Sequence, residues 1–255
     1  MDRDDRALTA GRAAATFYAP ALAPGVARIS LGQEAAHHAR VRRLSLGDAV
    51  RATSGTGLLG AGVLAHAGGD ALEIRIEQVQ HVSRRVVVRL YVPVGDRERM
   101  LWLAEKATEL GIARWQPVRF SRSRSVASRG EGEAFARKVR ARMIAALEQS
   151  GGAFLPEQCP ERLLDQVAGA DRASERYLLD AGGVPLLSRA PRSREVAIVL
   201  GPEGGLESQE RDVLTSAGWL PVHVGVNTLR FETAGMAAVA IVHAALAPVE
   251  PIEED

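Results

Sequence analysis

Two stretches of the sequence combine glycine with charged side chains in patterns that suit ligand binding. The first, residues 199–206, reads VLGPEGGL and begins in an apolar run. A strand that ends in glycines before a helix is a common ligand site in an open α/β sheet. The spacing matches neither the dinucleotide fingerprint nor the P-loop, and Glu203 would repel a phosphate. The loop therefore favours a cationic ligand such as S-adenosylmethionine. The alternative is a tight turn with Glu203 in solvent.

The second stretch, residues 224–240, reads VGVNTLRFETAGMAAVA. It predicts a strand that ends at Gly225, a polar loop and a helix that opens near Glu232. This helix is apolar almost all round, which predicts burial on every side, either in a chain packed through itself or between two subunits. Arg230 stands at its start and is costly to bury without a carboxylate or a substrate oxygen as partner.

The elements that would position these stretches alternate between strand and helix patterns. From about residue 84 onward the alternation predicts a mostly parallel sheet covered on both faces, an α/β fold. Before it, short branched segments and glycine turns predict a small β-barrel with one helix. The predicted domains are 1–15, a flexible tail; 16–83, the barrel; 84–248, the α/β domain; and 249–255, an acidic tail.

Composition sets broad limits on function. The chain has 255 residues, a net charge of +1 and 46% hydrophobic residues, typical of a globular protein. No apolar run reaches the roughly 18–20 residues of a membrane span, and the charged N-terminus lacks an apolar signal core. We therefore expect a cytoplasmic protein with no membrane partner. Cys159 is the only cysteine, so we expect no disulfide and no metal.

Taken together, four motifs resemble a known family. LGPEGGL followed by LRFETA resembles the SPOUT-class RNA methyltransferases, and EKATELGI and AALEQSGG narrow the resemblance to the RsmE type. The resemblance covers nearly the whole chain. It implies methylation of N3 of a uridine in 16S ribosomal RNA of the small subunit, with S-adenosylmethionine as the methyl donor. It also implies a PUA-like N-terminal barrel, a deep trefoil knot in the α/β domain, and a homodimer formed through the knotted domain.

The resemblance also implies which residues bind the cofactor. These belong to the two glycine-containing stretches: Leu200, Gly201, Pro202, Glu203, Gly204, Gly205, Val224, Gly225, Leu229, Arg230, Thr233 and Ala234. Three positions depart from the family pattern. Thr16 and Gly152 stand where arginines are common, and Phe231 stands where a threonine is usual.

The chemistry of uridine N3 suggests two catalytic residues. Its proton must be lost before attack, and the resulting anion spreads onto O2 and O4, where a cation would stabilise it. Arg230 is the predicted cation. Glu232 is predicted to orient Arg230 or to accept the proton. The alternative for Glu232 is a first-turn carboxylate that the helix dipole favours.

Clustered cations predict the RNA contacts. RFSRSRSVASR, residues 119–129, has a phosphate-binding composition, and ARVRR on the barrel helix forms a second patch. A solvated surface is the alternative for each. The predicted RNA-binding residues are Arg40, Arg43, Lys106, Arg122, Arg124 and Arg129.

Three other functions remain open at this point. A SPOUT enzyme could act on tRNA or on a ribose 2′-hydroxyl, although EKATELG and the N-terminal barrel disfavour this. A non-catalytic RNA-binding relative would be consistent with the three departures. An enzyme acting on nucleotide phosphates is disfavoured by Glu203 and by the missing P-loop lysine.

Overall fold

A computed structural model describes residues 13–123 and 132–247 and divides the chain into two compact units. The first comprises the described residues up to Arg84 together with Ile144–Leu155. The second comprises Arg85–Met143 and the described residues from Pro156 onward. The predicted tails, except for residues 13–15, and the predicted RNA contacts Arg124 and Arg129 lie outside the described residues.

The first unit is a five-stranded sheet with one helix. Its elements are β1 (Ala15–Tyr18), β2 (Arg28–Leu31), α1 (Gln33–Val41), β3 (Ala49–Thr53), β4 (Leu58–Gly68) and β5 (Ala71–His81). The strand order is β1-β3-β4-β5-β2, with β1 parallel to β3 and the other pairs antiparallel. Alternation explains the core, since Leu72 and Ile74 are fully buried while Arg75 between Ile74 and Ile76 is exposed.

Residues Ile144–Leu155 belong to this first unit, although they lie far along the chain. The Tyr18 amide donates to Glu148 Oε1 at 2.8 Å, and the Thr53 hydroxyl donates to the Gly152 carbonyl at 2.8 Å. A Cβ built on Gly151 would lie 3.9 Å from Thr16 Oγ1. Two of the departures from the family pattern, at positions 16 and 152, therefore lie in one region of the unit.

The second unit is built on a seven-stranded sheet. Its strands are β6 (Val87–Pro93), β7 (Arg114–Arg119), β8 (Glu157–Gln158), β9 (Arg162–Leu163), β10 (Glu175–Pro185), β11 (Glu195–Leu200) and β12 (Leu220–His223). Its helices are α2 (Arg97–Glu109), α3 (Gly132–Ser150, whose last residues belong to the first unit), α4 (Leu164–Ala168), α5 (Ser208–Ser216) and α6 (Phe231–Ala245), with a 3₁₀ helix at Leu186–Arg189. These elements confirm the predicted α/β fold.

All strand pairs in this sheet are parallel, in the order β12-β10-β11-β6-β7-β8, and β9 also pairs with β7. The central strand β11 is buried at five consecutive positions, as expected for a strand covered on both faces. Parallel strands bring their carboxyl ends to one edge. The loops that follow β6, β10, β11 and β12 therefore gather there.

Helix α6 lies against α2 and beside strands β6 and β11. Gly235 permits this close packing, because a Cβ built there would lie 2.8 Å from Leu200 Cδ1 and 3.3 Å from Leu103 Cδ1. The sequence predicts burial on every side of this helix. Within the single chain, however, Ala240 and Ala244 are exposed, because no described element covers that face.

Replacing Gly235 with alanine is expected to lower the free energy of unfolding by about 1–3 kcal/mol, since both facing leucines are fully buried and have little room to move. Urea unfolding measures this. Gly169→Ala is the matched control, because a Cβ at Gly169 meets nothing within 4 Å. Equal stability of the two variants would contradict the packing described for α6.

Candidate active site

A cavity of about 640 Å³ lies at the carboxyl edge of the parallel sheet, within the second unit. It is lined by the loops after β11 and β12, the bulged part of β10 and the first turns of α2, α5 and α6. Most of the predicted cofactor residues line it: Leu200, Gly201, Pro202, Glu203, Gly205, Val224, Gly225, Leu229, Arg230 and Ala234. Gly204 and Thr233 are not among the lining residues, whereas Phe231 is.

The glycine loop after β11 is a tight turn. The Gly205 amide donates to the Pro202 carbonyl at 2.9 Å, and Gly205 has a φ of 75°, a conformation that side chains disfavour. Arg122 Nη1 donates to the Gly204 carbonyl at 2.7 Å. Arg122, which the sequence predicts as an RNA contact, is thus attached to the glycine loop.

Arg99 is a site residue that the sequence reasoning missed. It lies in the first turn of α2, where its amide donates to the Asp96 side chain at 3.0 Å. Its guanidinium forms an ion pair with Glu203, and its Nε lies 3.8 Å from Glu232 Oε1. Arg99 therefore connects the glycine loop to the start of α6, and Glu203 secures the loop. Two sequence signals could have identified Arg99. Asp96 is a typical N-cap residue, and Arg99 follows it by three positions in the helix that begins just after β6.

Glu232 and Arg230 both lie at the start of α6, but their side chains are in different environments. Glu232 is 8% exposed, and within residues 13–123 and 132–247 its Oε2 has no hydrogen-bond partner. Arg230 occupies the N-cap position, is exposed and lines the cavity. The carboxylate lies in the first turn of α6, near the positive end of the helix dipole. The arginine is available to a ligand.

A second charged pair lines the cavity. Asp180 Oδ2 lies 2.6 Å from Arg211 Nη1, and its Oδ1 accepts the Gly182 amide at 2.8 Å. The Asp180 side chain is only 7% exposed. It follows the residue at which β10 shifts register, between Leu179 and Val184. Because the bulge is not evident from periodicity, the sequence gives no signal for this pair.

The remaining predicted RNA contacts are distributed over both units. Arg40 and Arg43 are exposed in the first unit. In the second, Lys106 Nζ lies 2.8 Å from Glu109 Oε1 and 2.9 Å from Glu105 Oε1, and hydrogen bonds to these carboxylates raise the pKa of the Lys106 ammonium. Its charge is therefore already balanced by two neighbours.

Metal clusters, the single thiol and membrane spans were each considered for the part of the chain that the structure describes. It contains no group of three or more His, Cys, Asp or Glu side chains arranged to hold a metal ion. Burial raises the pKa of the Cys159 thiol, which disfavours the thiolate. None of the described helices has the length and apolarity needed to cross a membrane.

Comparisons with known proteins define the class. A family model described as an RNA methyltransferase domain matches residues 83–243, and a model described as an RNA methyltransferase PUA domain matches residues 31–77. The first match covers more than half of the chain. The chain therefore belongs to the RNA methyltransferases and carries a PUA-like domain.

Its relatives narrow the class. The ribosomal RNA small subunit methyltransferase E of Bacillus subtilis is 27% identical over 228 residues, covering 83% of this chain and 87% of that protein. The protein of the same name from Mycobacterium tuberculosis is 29% identical over 239 residues, covering 86% of each. These matches confirm the resemblance to the RsmE type.

A solved structure shares the fold. The ribosomal RNA small subunit methyltransferase E of Neisseria gonorrhoeae, bound to S-adenosylmethionine, superposes with a TM-score of 0.81 at 23% identity. The superposition covers 90% of this chain and 97% of that one.

Proposed function

We propose that this protein transfers a methyl group from S-adenosylmethionine to N3 of a uridine in 16S ribosomal RNA of the small subunit. The single observation that carries the proposal is the cavity at the sheet edge, lined by the glycine loop after β11 and by Arg230. Family membership supports the reaction class, and the named relatives act on ribosomal RNA of the small subunit.

The residues around the cavity suit this cofactor. The volume lies within the roughly 300–1,000 Å³ of small-molecule sites. Glycines at 201 and 205 leave the backbone accessible, and Arg99 neutralises Glu203, so that the loop presents no free carboxylate to the adenosine. We assign the amino-acid tail to the pair of buried Asp180 and exposed Arg211, its ammonium to Asp180 and its carboxylate to Arg211. When bound, the cofactor supplies an electrophilic methyl group.

The chain's own residues would then prepare the nucleophile. Arg230, exposed at the mouth of the cavity, donates hydrogen bonds to uridine O2 or O4 and stabilises the anion that forms when N3 loses its proton. Glu232 orients Arg230 or accepts that proton, and its unpartnered Oε2 leaves an acceptor site for either role. The remaining contribution to catalysis is the alignment of uridine N3 with the methyl group of the cofactor, because methyl transfer is a direct displacement.

A knotted, dimeric enzyme is part of the proposal. The chain passes from β11 to β12 on the far side of β10 and then returns to pack α6 beside β11, a path consistent with a trefoil knot. The exposed face of α6 and Leu187, which is 73% exposed on the adjacent 3₁₀ helix, are apolar and suit a partner subunit. Sedimentation of the full chain tests the dimer. A cytoplasmic location also remains a prediction.

Calorimetric titration with S-adenosylmethionine tests the site. We expect binding by the wild type and at least about tenfold weaker binding by Gly201→Val, because a side chain at the loop's entry intrudes on the cavity. Gly32→Val is the control, since Gly32 is exposed, has extended backbone angles and meets nothing within 4 Å. Absence of wild-type binding, or equal binding by both variants, would contradict the assignment.

A further inference from the structure

The side chains that line the cavity do not provide a free negative charge for a cationic ligand. Among the described residues around it, the carboxylates are Asp180 and Glu203, and they form ion pairs with Arg211 and Arg99 respectively. Arg230 adds a further guanidinium group. The lining is therefore not acidic, although the sulfonium of the proposed cofactor carries a positive charge.

Phe231 contributes an aromatic ring to this lining. Within the described residues, no other phenylalanine, tyrosine or tryptophan lines the cavity. Phe231 is the first residue of α6 and is 4% exposed, and its Cε1 lies 4.0 Å from a Cβ built on Gly95, in the loop between β6 and α2. The ring therefore lies where the start of α6 meets that loop. A threonine, which is usual here in the RsmE type, would provide no ring.

The role assigned to Arg230 brings the reacting methyl group close to this ring. Arg230 holds the uridine at the mouth of the cavity, and Phe231 is the next residue of the chain and lines the same cavity. Methyl transfer requires the methyl carbon and uridine N3 to lie about 3–3.5 Å apart. The sulfonium that carries the methyl group is therefore near the start of α6. An aromatic face attracts a cation within about 6 Å of its centre, because the ring quadrupole is negative on the face.

We propose that Phe231 recognises the sulfonium centre of S-adenosylmethionine and gives this chain a preference for the methyl donor over its demethylated product. The proposal rests on the proposed function, since it assigns a role within the same cofactor site. Methyl transfer forms the bond between N3 and the methyl carbon and breaks the carbon–sulfur bond, whose electron pair stays on sulfur. The product is therefore a neutral thioether, which lacks the charge that the ring attracts. Phe231 stabilises the bound donor and not the bound product.

Calorimetric titration of the full chain with S-adenosylmethionine and with S-adenosylhomocysteine tests this role. Phe231→Leu keeps an apolar side chain but removes the ring. It should reduce the preference for S-adenosylmethionine, measured as the ratio of the two dissociation constants, by about three- to thirtyfold. Loss of packing alone would weaken both ligands equally, so the ratio isolates the contribution of the sulfonium charge. Phe231→Tyr, which retains the ring, should keep the ratio within about twofold of the wild type.

Phe120→Leu is the matched control, since Phe120 is 3% exposed in the same unit but does not line the cavity. It should leave the ratio of dissociation constants unchanged. Equal weakening of both ligands by Phe231→Leu, or an unchanged ratio, would overturn the role of the ring and leave the proposed function standing. Wild-type protein that binds neither ligand would contradict the cofactor site of the proposed function, and this proposal with it.

Discussion

Replacing Arg230 with alanine is expected to lower kcat for methyl transfer by about 10²–10³-fold, the loss typical when one donor to a developing anion is removed. Arg230 is exposed, and its side chain makes no capping hydrogen bond to the helix that it precedes. The fold should therefore tolerate the change, and affinity for S-adenosylmethionine should remain within a few-fold of the wild type. Single-turnover methylation of small-subunit RNA measures the rate.

Arg192→Ala is the matched control, because Arg192 is exposed in the same unit and does not line the cavity. Arg230→Lys should recover part of the rate, since a lysine restores the charge without the paired donors. Wild-type turnover in Arg230→Ala would exclude Arg230 from the mechanism.

Arg99→Ala should weaken binding of S-adenosylmethionine by at least about tenfold and destabilise the fold by about 1–3 kcal/mol. The substitution removes the ion pair between Arg99 and Glu232, which is mostly buried, and releases Glu203 from the start of α2. With the loop no longer attached, part of the binding free energy would be spent on ordering it. Calorimetry gives the affinity, and urea unfolding gives the stability.

A double-mutant cycle distinguishes an effect of Arg99 through its ion pair with Glu203 from a purely local effect of Arg99. If Arg99 acts through Glu203, then Arg99→Ala and Glu203→Gln should be non-additive in their effects on cofactor affinity, with a coupling of about 0.5–3 kcal/mol. Additive effects, or an Arg99→Ala variant that binds the cofactor normally, would contradict the positioning role.

The parts of the site that the sequence could predict are those in which one short stretch of residues contains the complete strand, turn and helix pattern. The glycine loop directly follows the end of β11, and the stretch from Val224 to Ala234 runs from the end of β12 into the first turn of α6, so local pattern places most of their residues on the cavity. The parallel sheet was predictable for the same reason, because alternation of strands and helices is a local property that limits the topology.

The contacts that the sequence could not predict depend on the order of the strands in the sheet. Arg99 precedes its partner Glu203 by about a hundred residues, and the two meet only because β6 and β11 are neighbours in the sheet. Asp180 and Arg211 meet because β10 bulges beside β12. Arg122 lies in a segment whose composition suits phosphate binding, yet its side chain donates a hydrogen bond to the Gly204 carbonyl. Charge patterns indicate where cations cluster along the chain, but they do not identify the partner.

Analysis of the modified nucleoside tests the central claim most directly. Small ribosomal subunits that lack the modification would be incubated with S-adenosylmethionine and the full chain, digested to nucleosides and examined by mass spectrometry against authentic standards. We expect 3-methyluridine from the wild type and, in an incubation short enough to follow the initial rate, at most about a hundredth of that amount from Arg230→Ala. Formation of a 2′-O-methylated nucleoside, or no methylated product with active cofactor binding, would contradict the proposed reaction.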